Sequence, residues 1–319
     1  MAIKQKREQS FSAAEQNLDV VAASQPGAAT IRKIPVLSKL SSISALRPWK
    51  IRLGLGIIGF FVLVAIFGPL IARQDPQALS YDALLPPSGA HWLGTTQTGQ
   101  DVFAQLVDGT RLTLLVGFGV GIIATTLSVV IGLTAGYFGG LVDEGLSLLM
   151  NVFLVIPALP LAIVMAGYLT VRGPVSVAIV LVITGWAWGA RVLRAQTLSM
   201  RQRDFISAAR ANGETTFHLI FAEILPNEIA IVCASLIFTI LYAILAEVGL
   251  EFLGLGDVTA TSWGNILFWA TNGNALLLGA WWWFVPVGLC IALLGAGLAF
   301  INFGIDEITN PRLRETSRS

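Results

Sequence analysis

Charge is what this chain has least of: Asp, Glu, Lys and Arg make up 12% of its 319 residues, where about a quarter is usual in soluble domains. Cysteine and histidine are also scarce, at two each. Cys233 and Cys290 stand alone, so neither a disulfide framework nor a cysteine metal site is expected, and both read as small buried hydrophobes. His91 and His218 fall on opposite sides of the topology derived below and make no metal pair. No Gly-x-x-x-x-Gly-Lys-Ser/Thr phosphate loop occurs, so the chain is not an ATPase by that mechanism. Paired Asp, a Ser-His set and an HExxH site are missing from the apolar runs, which argues against a membrane-embedded hydrolase. Internal repeats and a midplane ionic site, the marks of a secondary transporter, are not visible beyond a marginal Glu247. No catalytic residue and no cofactor are expected. The net charge of +1 gives no reason to expect a nucleic acid partner.

Apolar sequence is there in excess: 55% of residues are hydrophobic and the mean hydropathy is +0.75. A span of about 20 residues crosses the hydrocarbon core. Leu53–Ala72, Leu112–Tyr137, Gly145–Thr170, Pro174–Ala190, Ile229–Ala246 and Phe284–Ile305 qualify, the fourth and fifth only just. The uncharged run Val258–Ile305 is too long for one span and is divided because Thr259–Asn274 is rich in Thr, Asn and Gly. Five spans would also fit the apolar runs, and the basic residues decide for six. Nine precede or open the first span, five lie between the fourth and fifth, and three follow the sixth. An even number of crossings puts these seventeen on the cytoplasmic side and leaves only Arg73, Arg111 and Arg172 outside. The fold expected is therefore an all-α integral membrane protein of six transmembrane helices with both termini cytoplasmic. Residues 1–46 read as a disordered cytoplasmic tail and 47–111 as the first span with an external loop. Residues 112–306 form the membrane core, with a cytoplasmic loop at about 200–227, and 307–319 a short tail. The late, full-length first span suits an uncleaved anchor.

Local features add expectations. Val102, Phe103, Leu106 and Val107 recur at helical spacing among Asp101, Gln105 and Asp108, which predicts an amphipathic helix in the outer interface; the start of the second span is the alternative. Gly136–Gly140 permits a tight hairpin, and Asp143 and Glu144 suit the positive end of the helix that follows. Pro157 and Pro160 interrupt the third span, as a kink or as packing. Gly117, Gly121 and Gly132 allow close helix packing. Trp263, Trp269 and Trp281–Trp283 read as an interfacial anchor, with a substrate-stacking shelf as the alternative. Glu247 lies eighteen residues beyond Ile229, about 27 Å of helix, near the outer face. An escape to the interface or an arginine partner is expected, and Glu247 with Glu251 one turn above are candidate pathway-lining residues.

The loop Arg191–Asn227 is the most specific signal. Ala208 and Ala209, next to Ser207, favour a helix open to close approach. Gly213 supplies a bend, and Pro226, after Leu225, can begin the next helix. Two short surface helices with a bend between them are predicted.

This spacing resembles the EAA loop of ABC importer permeases, and roughly Leu46–Arg314 resembles the second permease of the dipeptide, oligopeptide and nickel importer family. The supporting stretches, in family order, are His91–Thr95 with Gly99–Val102, Ala135–Gly140 with Asp143, Ile244–Glu247 leading to Phe252–Gly256, and Asn310–Arg314. Ser207 stands where the motif usually has Glu, Glu223 where a basic residue or His is usual, and Thr96 and Gln100 where Asp and Arg are familiar. The resemblance implies a type I importer permease fold in a bacterial plasma membrane. It also implies a homologous second permease, two cytoplasmic P-loop ATPases, an external binding protein, and Ser207, Ala208, Ala209, Gly213, Leu225 and Pro226 as ATPase-coupling residues. Peptide is the substrate implied first; nickel and oligosaccharide remain open.

Overall fold

Residues 49–72, 74–79 and 82–309 are described by the computed structural model. The expected tail 1–46, and 310–319 of the expected C-terminal segment, lie outside them. The described residues form helices α1 (Trp49–Ile71), α2 (Val102–Phe138), α3 (Gly140–Val155), α4 (Ala158–Tyr168), α5 (Pro174–Gly185), α6 (Ala187–Met200), α7 (Asp204–Ala211), α8 (Thr216–Phe252), α9 (Trp263–Asn272) and α10 (Trp281–Thr309). Five stretches are long and apolar enough to cross a membrane: α1, α2, Pro174–Met200, α8 and most of α10. The pair α3 and α4, bent by 87°, is apolar enough together to make a sixth if it counts as one broken span rather than a re-entrant loop.

That bend has a covalent cause. Ile156 before Pro157 is held extended (φ −79°, ψ 125°), as the clash with the proline ring demands. Pro160 falls in the first turn of α4, where a missing N–H costs nothing. The two spans that looked marginal are longer than their uncharged runs because helix continues into charged sequence, at one end of the fourth and at both ends of the fifth. In α5 and α6 the only interruption is Trp186, whose carbonyl oxygen accepts from Ser128 Oγ of α2 at 2.6 Å.

α2 is the central helix, with α1, α5, α6 and α8 packed around it. Glycine makes this possible. A Cβ on Gly117 or Gly121 would run into Ile244 or Ile240 of α8, and one on Gly132 would stand 2.6 Å from the Ala190 carbonyl oxygen of α6. The expected packing role holds, and Gly136 extends it against Thr197. Large exposed hydrophobics such as Leu70, Ile123, Leu148 and Val155 lie on the spans, where lipid replaces water as the solvent.

The expected interfacial helix at 101–111 is instead the first three turns of α2. Two of its polar residues, Asp101 and Gln105, are bonded by the folded loop. Asp101 caps the helix, accepting from Ala104 N at 2.8 Å, and meets His91 Nδ1 at 2.8 Å. Gln105 Nε2 donates to Gln100 Oε1 at 3.0 Å. Val102, Ala104 and Val107 are buried. The glycine hairpin is present: Gly139 (φ 68°) and Gly140 (φ 53°) turn the chain from α2 into α3.

The tryptophans divide. Trp269 and Trp281 are about half exposed, but Trp263 is fully buried, donates from Nε1 to the Leu106 carbonyl at 3.2 Å and meets Phe61 edge to face. Trp283 is buried too, and Trp282 Nε1 donates to the Thr95 carbonyl. These three hold the loop end together, a role the anchor reading does not contain.

Candidate functional site: the loop between α6 and α8

α6 runs ten residues past Ala190, where the uncharged run ends, and stops at Met200. Arg201–Arg203 form a turn, and α7 follows with its one apolar anchor, Ile206, completely buried. Phe205, Ser207 and Ala208 on the same helix are exposed, and Ala209 is half-buried. Gly213 ends this unit at φ +83°, a left-handed conformation that side chains with a Cβ adopt only with strain. Nothing lies within 4 Å of where its Cβ would be. The glycine is therefore needed for its backbone conformation, not for space.

Thr215 then caps α8, its hydroxyl accepting from His218 N at 3.3 Å. The expected second short helix exists, but it does not stop at Leu225. It runs into the fifth span as one helix of 37 residues. Pro226 does not begin a helix here. The six residues before Leu225, Leu219–Ile224, are wound as a π-helix, and the Leu225 N–H reaches back to the Ile220 carbonyl. A wider turn relieves the clash of a proline ring with the carbonyl four residues earlier. Leu225 is half-buried against Leu133, Leu193 and Ile220.

Four contacts brace this loop against the rest of the bundle. Arg194 of α6 pairs with Asp143 in the first turn of α3 through Nε and Nη2. Arg201 Nη1 donates to the Tyr137 carbonyl at 3.2 Å, and Arg210 of α7 lies over the Tyr137 ring, 5.8 Å from its centroid. Thr197 Oγ1 donates to the carboxylate of Glu228, which is fully buried at the base of α8. Asp143 therefore does more than suit a helix dipole. Glu228 escaped sequence reasoning because it sits one residue outside the uncharged run, although an acid against a span boundary is itself a signal.

What remains outward is aromatic. Phe205, Phe217 and Phe221 are exposed in an otherwise polar loop, the last two with ring centroids 4.5 Å apart. His218 is exposed near Glu214, at 3.7 Å. Ser207, Ala208 and Gly213 share this outer surface, while Ala209, Leu225 and Pro226 lie deeper. Among the described residues no group of His, Cys, Asp and Glu is arranged to hold a metal ion.

Glu247 and Glu251 lie near the far end of α8. Both are buried, Glu247 at 0% and Glu251 at 1% exposure. The expected arginine partner for Glu247 is not what the structure gives: Thr113 Oγ1 of α2 donates to Oε1 at 3.4 Å, and Oε2 has no partner among the described residues. Ser262 Oγ donates to Glu251. Thr96 and Gln100, the two outer-loop departures, are bonded to each other: Thr96 N donates to the Gln100 carbonyl and Gln100 N to Thr96 Oγ1.

A family model described as "Binding-protein-dependent transport system inner membrane component" matches residues 128–315, and one described as "N-terminal TM domain of oligopeptide transport permease C" matches residues 52–87. The oligopeptide transport system permease protein OppC of Bacillus subtilis (strain 168) is 31% identical over 266 residues, 82% of this chain and 85% of that protein. The dipeptide transport system permease protein DppC of the same organism is 32% identical over 268 residues, 82% and 81% of the two chains. The probable D,D-dipeptide transport system permease protein DdpC of Escherichia coli (strain K12) is 32% identical over 260 residues, 80% and 85%. A solved MetNI methionine ABC transporter chain, in an inward facing conformation, aligns over 61% of this chain and 96% of its own at 18% identity, with a TM-score of 0.45.

Proposed function

Because the chain belongs to the family of binding-protein-dependent transport system inner membrane components, we propose that it is the translocation subunit of an ATP-driven peptide importer, without an ATPase site of its own. It pairs with a homologous second permease to enclose the path. Two cytoplasmic P-loop ATPases bind below, and an extracytoplasmic binding protein delivers the peptide above. The peptide substrate follows from the relatives, which are named for oligopeptide and dipeptide transport. In this reading the basic flanks keep both termini and the α6–α8 loop in the cytoplasm.

The observation that carries the proposal is the α6–α8 loop: a short helix, a left-handed glycine, and then a helix that begins on the loop and continues without a break through a membrane-length span. Phe205, Phe217 and Phe221 offer the apolar surface that a cleft on an ATPase would cover. Ser207, Ala208, Ala209 and Gly213 form the contact unit, and Leu225 and Pro226 its junction with the span. Glu247 and Glu251 support the outer end of α8 beside the path.

The test is to tag the chain, extract it gently from its native membrane and identify by mass spectrometry what copurifies. Recovery of a second permease and P-loop ATPases, with the ATPases depleted by Gly213→Val, is the expected result. A lone protein in several mild detergents would overturn it.

A further inference from the structure

The turn that follows α6 leaves a cleft of about 530 Å³ between itself, the last turn of α2, α7 and the start of α8. Tyr137, Phe138, Arg201, Gln202, Arg210 and Thr216 line it. The lining holds two guanidinium groups and no acid. Asp143 is already taken by two nitrogens of Arg194, and Glu214, between Arg210 and Thr216 in the chain, lies 3.7 Å from His218.

Arg210 faces the bundle rather than the outer surface of the loop. It stands four residues on from Ile206, the buried anchor of α7, and so on the same face of that helix. Its guanidinium lies over the Tyr137 ring and makes no hydrogen bond or ion pair among the described residues. Arg201 comes to the same tyrosine: its Nη1 donates to the Tyr137 carbonyl at 3.2 Å, which holds the group in place and leaves its other N–H donors uncommitted. Two positive charges drawn to one residue repel each other, and an anion between them turns that repulsion into attraction.

The cleft also lies at the lip of a lipid-facing surface. Tyr137 and Phe138 end the span α2, and Phe138 and Leu141, on either side of the Gly139–Gly140 turn, are 55% and 86% exposed. Basic pockets at the cytoplasmic ends of membrane helices suit anionic lipid headgroups, because the planar guanidinium fork matches phosphate oxygens. A free anion would use the arginines and leave the apolar lip bare.

We propose that this cleft seats the phosphodiester of an anionic phospholipid from the cytoplasmic leaflet. Arg201 and Arg210 donate to the phosphate oxygens, and the acyl chains run along Phe138 and Leu141. The lipid then ties α7 to the end of α2 and keeps the loop seated on the bundle. The proposal rests on the importer reading for the side of the membrane on which the loop lies.

The experiment is native mass spectrometry of the assembled permease–ATPase complex, stripped of lipid in mild detergent and titrated with phosphatidylglycerol or with phosphatidylcholine of the same chains. The complex should retain phosphatidylglycerol in preference. Arg210→Gln, which leaves the Arg201 bond to Tyr137 intact, should weaken retention of one such lipid roughly tenfold, the scale of one charge-assisted hydrogen bond. Arg203→Gln removes the same charge from an exposed position on the same turn outside the cleft and should leave retention unchanged. No preference between the two lipids in the parent complex would overturn the proposal, and so would equal losses in the two variants, which would mean diffuse charge and no site. Full displacement by glycerophosphate at the lipid's own concentration would make this a free-anion site. ATPases shed by Arg210→Gln with lipid retention unchanged would assign the arginine to the ATPase contact. Failure of the ATPases to join the parent complex would instead overturn the importer reading, with lipid retention still readable on the permease.

Discussion

Arg194 reaches from the last turns of α6 to Asp143 at the start of α3 with two nitrogens, Nη2 lying 2.7 Å from Oδ2. The pair joins the helix that enters the α6–α8 loop to the first helix of the bent pair that precedes it in the chain. Because the fork is planar, lysine is not its equivalent. Arg194→Lys and Asp143→Asn should each lower stability, and a double-mutant cycle read from unfolding in detergent should give a coupling of about 1 kcal/mol, the upper end for a pair still partly exposed. Additive effects would mean that the two residues act separately.

Gly213 is held at φ +83° with open space around it. Gly213→Asn should therefore retain most ATPase association, since Asn tolerates this region, whereas Gly213→Val should cost about 1–2 kcal/mol or more locally and lose coupling. Pull-down of the ATPases with each variant distinguishes conformation from bulk: equal losses would favour bulk.

Thr197 supplies the one hydroxyl that both oxygens of buried Glu228 share, at 3.2 Å. Thr197→Val keeps the shape and strands the carboxylate, which should cost about 1–3 kcal/mol. Thr197→Val combined with Glu228→Gln should recover part of that loss, measured as thermal melting of the purified complex. No recovery would place the effect elsewhere than in the carboxylate.

Gly121 of α2 faces Ile240 of α8 with no room for a methyl group. Gly121→Ala should destabilise by roughly 1–3 kcal/mol through overpacking, and Ile240→Ala in the same chain should offset it. A rescue by Ile240→Ala but not by the distant Leu225→Ala would tie the cost to that helix crossing.

Much of this was legible in the sequence because bilayer thickness and helix rise leave few options. The five long spans, the role of Gly117, Gly121 and Gly132, the glycine hairpin and the bend at Gly213 all come from local constraints, and the sixth expected span falls on the bent pair α3 and α4. Other features depend on partners far away in sequence. Helix α2 begins at Val102 because Asp101 caps it, accepting from Ala104 N, and is itself met by His91, so Asp101 and Gln105, two of the polar residues that suggested a surface helix, are bonded within the loop. α8 continues through Pro226 because a π-helical stretch precedes it, a winding that has no composition signature. Trp263 could not be told from an interfacial tryptophan by its position, since the Leu106 carbonyl that accepts its proton is 157 residues away.

The unbroken course of α8 sets a mechanical ratio. Thirty-seven residues make a rod of about 55 Å at 1.5 Å per residue, with Gly213 hinging one tip. At the other tip Glu251 holds Ser262 and Gly264 rests against Val248, so the turn leading into α9 rides on the rod. A tilt of about 5° about one end displaces the other by about 5 Å, more than the width of a water molecule, on this geometry. If the proposed ATPase contact moves the end beside Phe217, this geometry would turn a small tilt there into a displacement of several ångströms at the end beside Ser262.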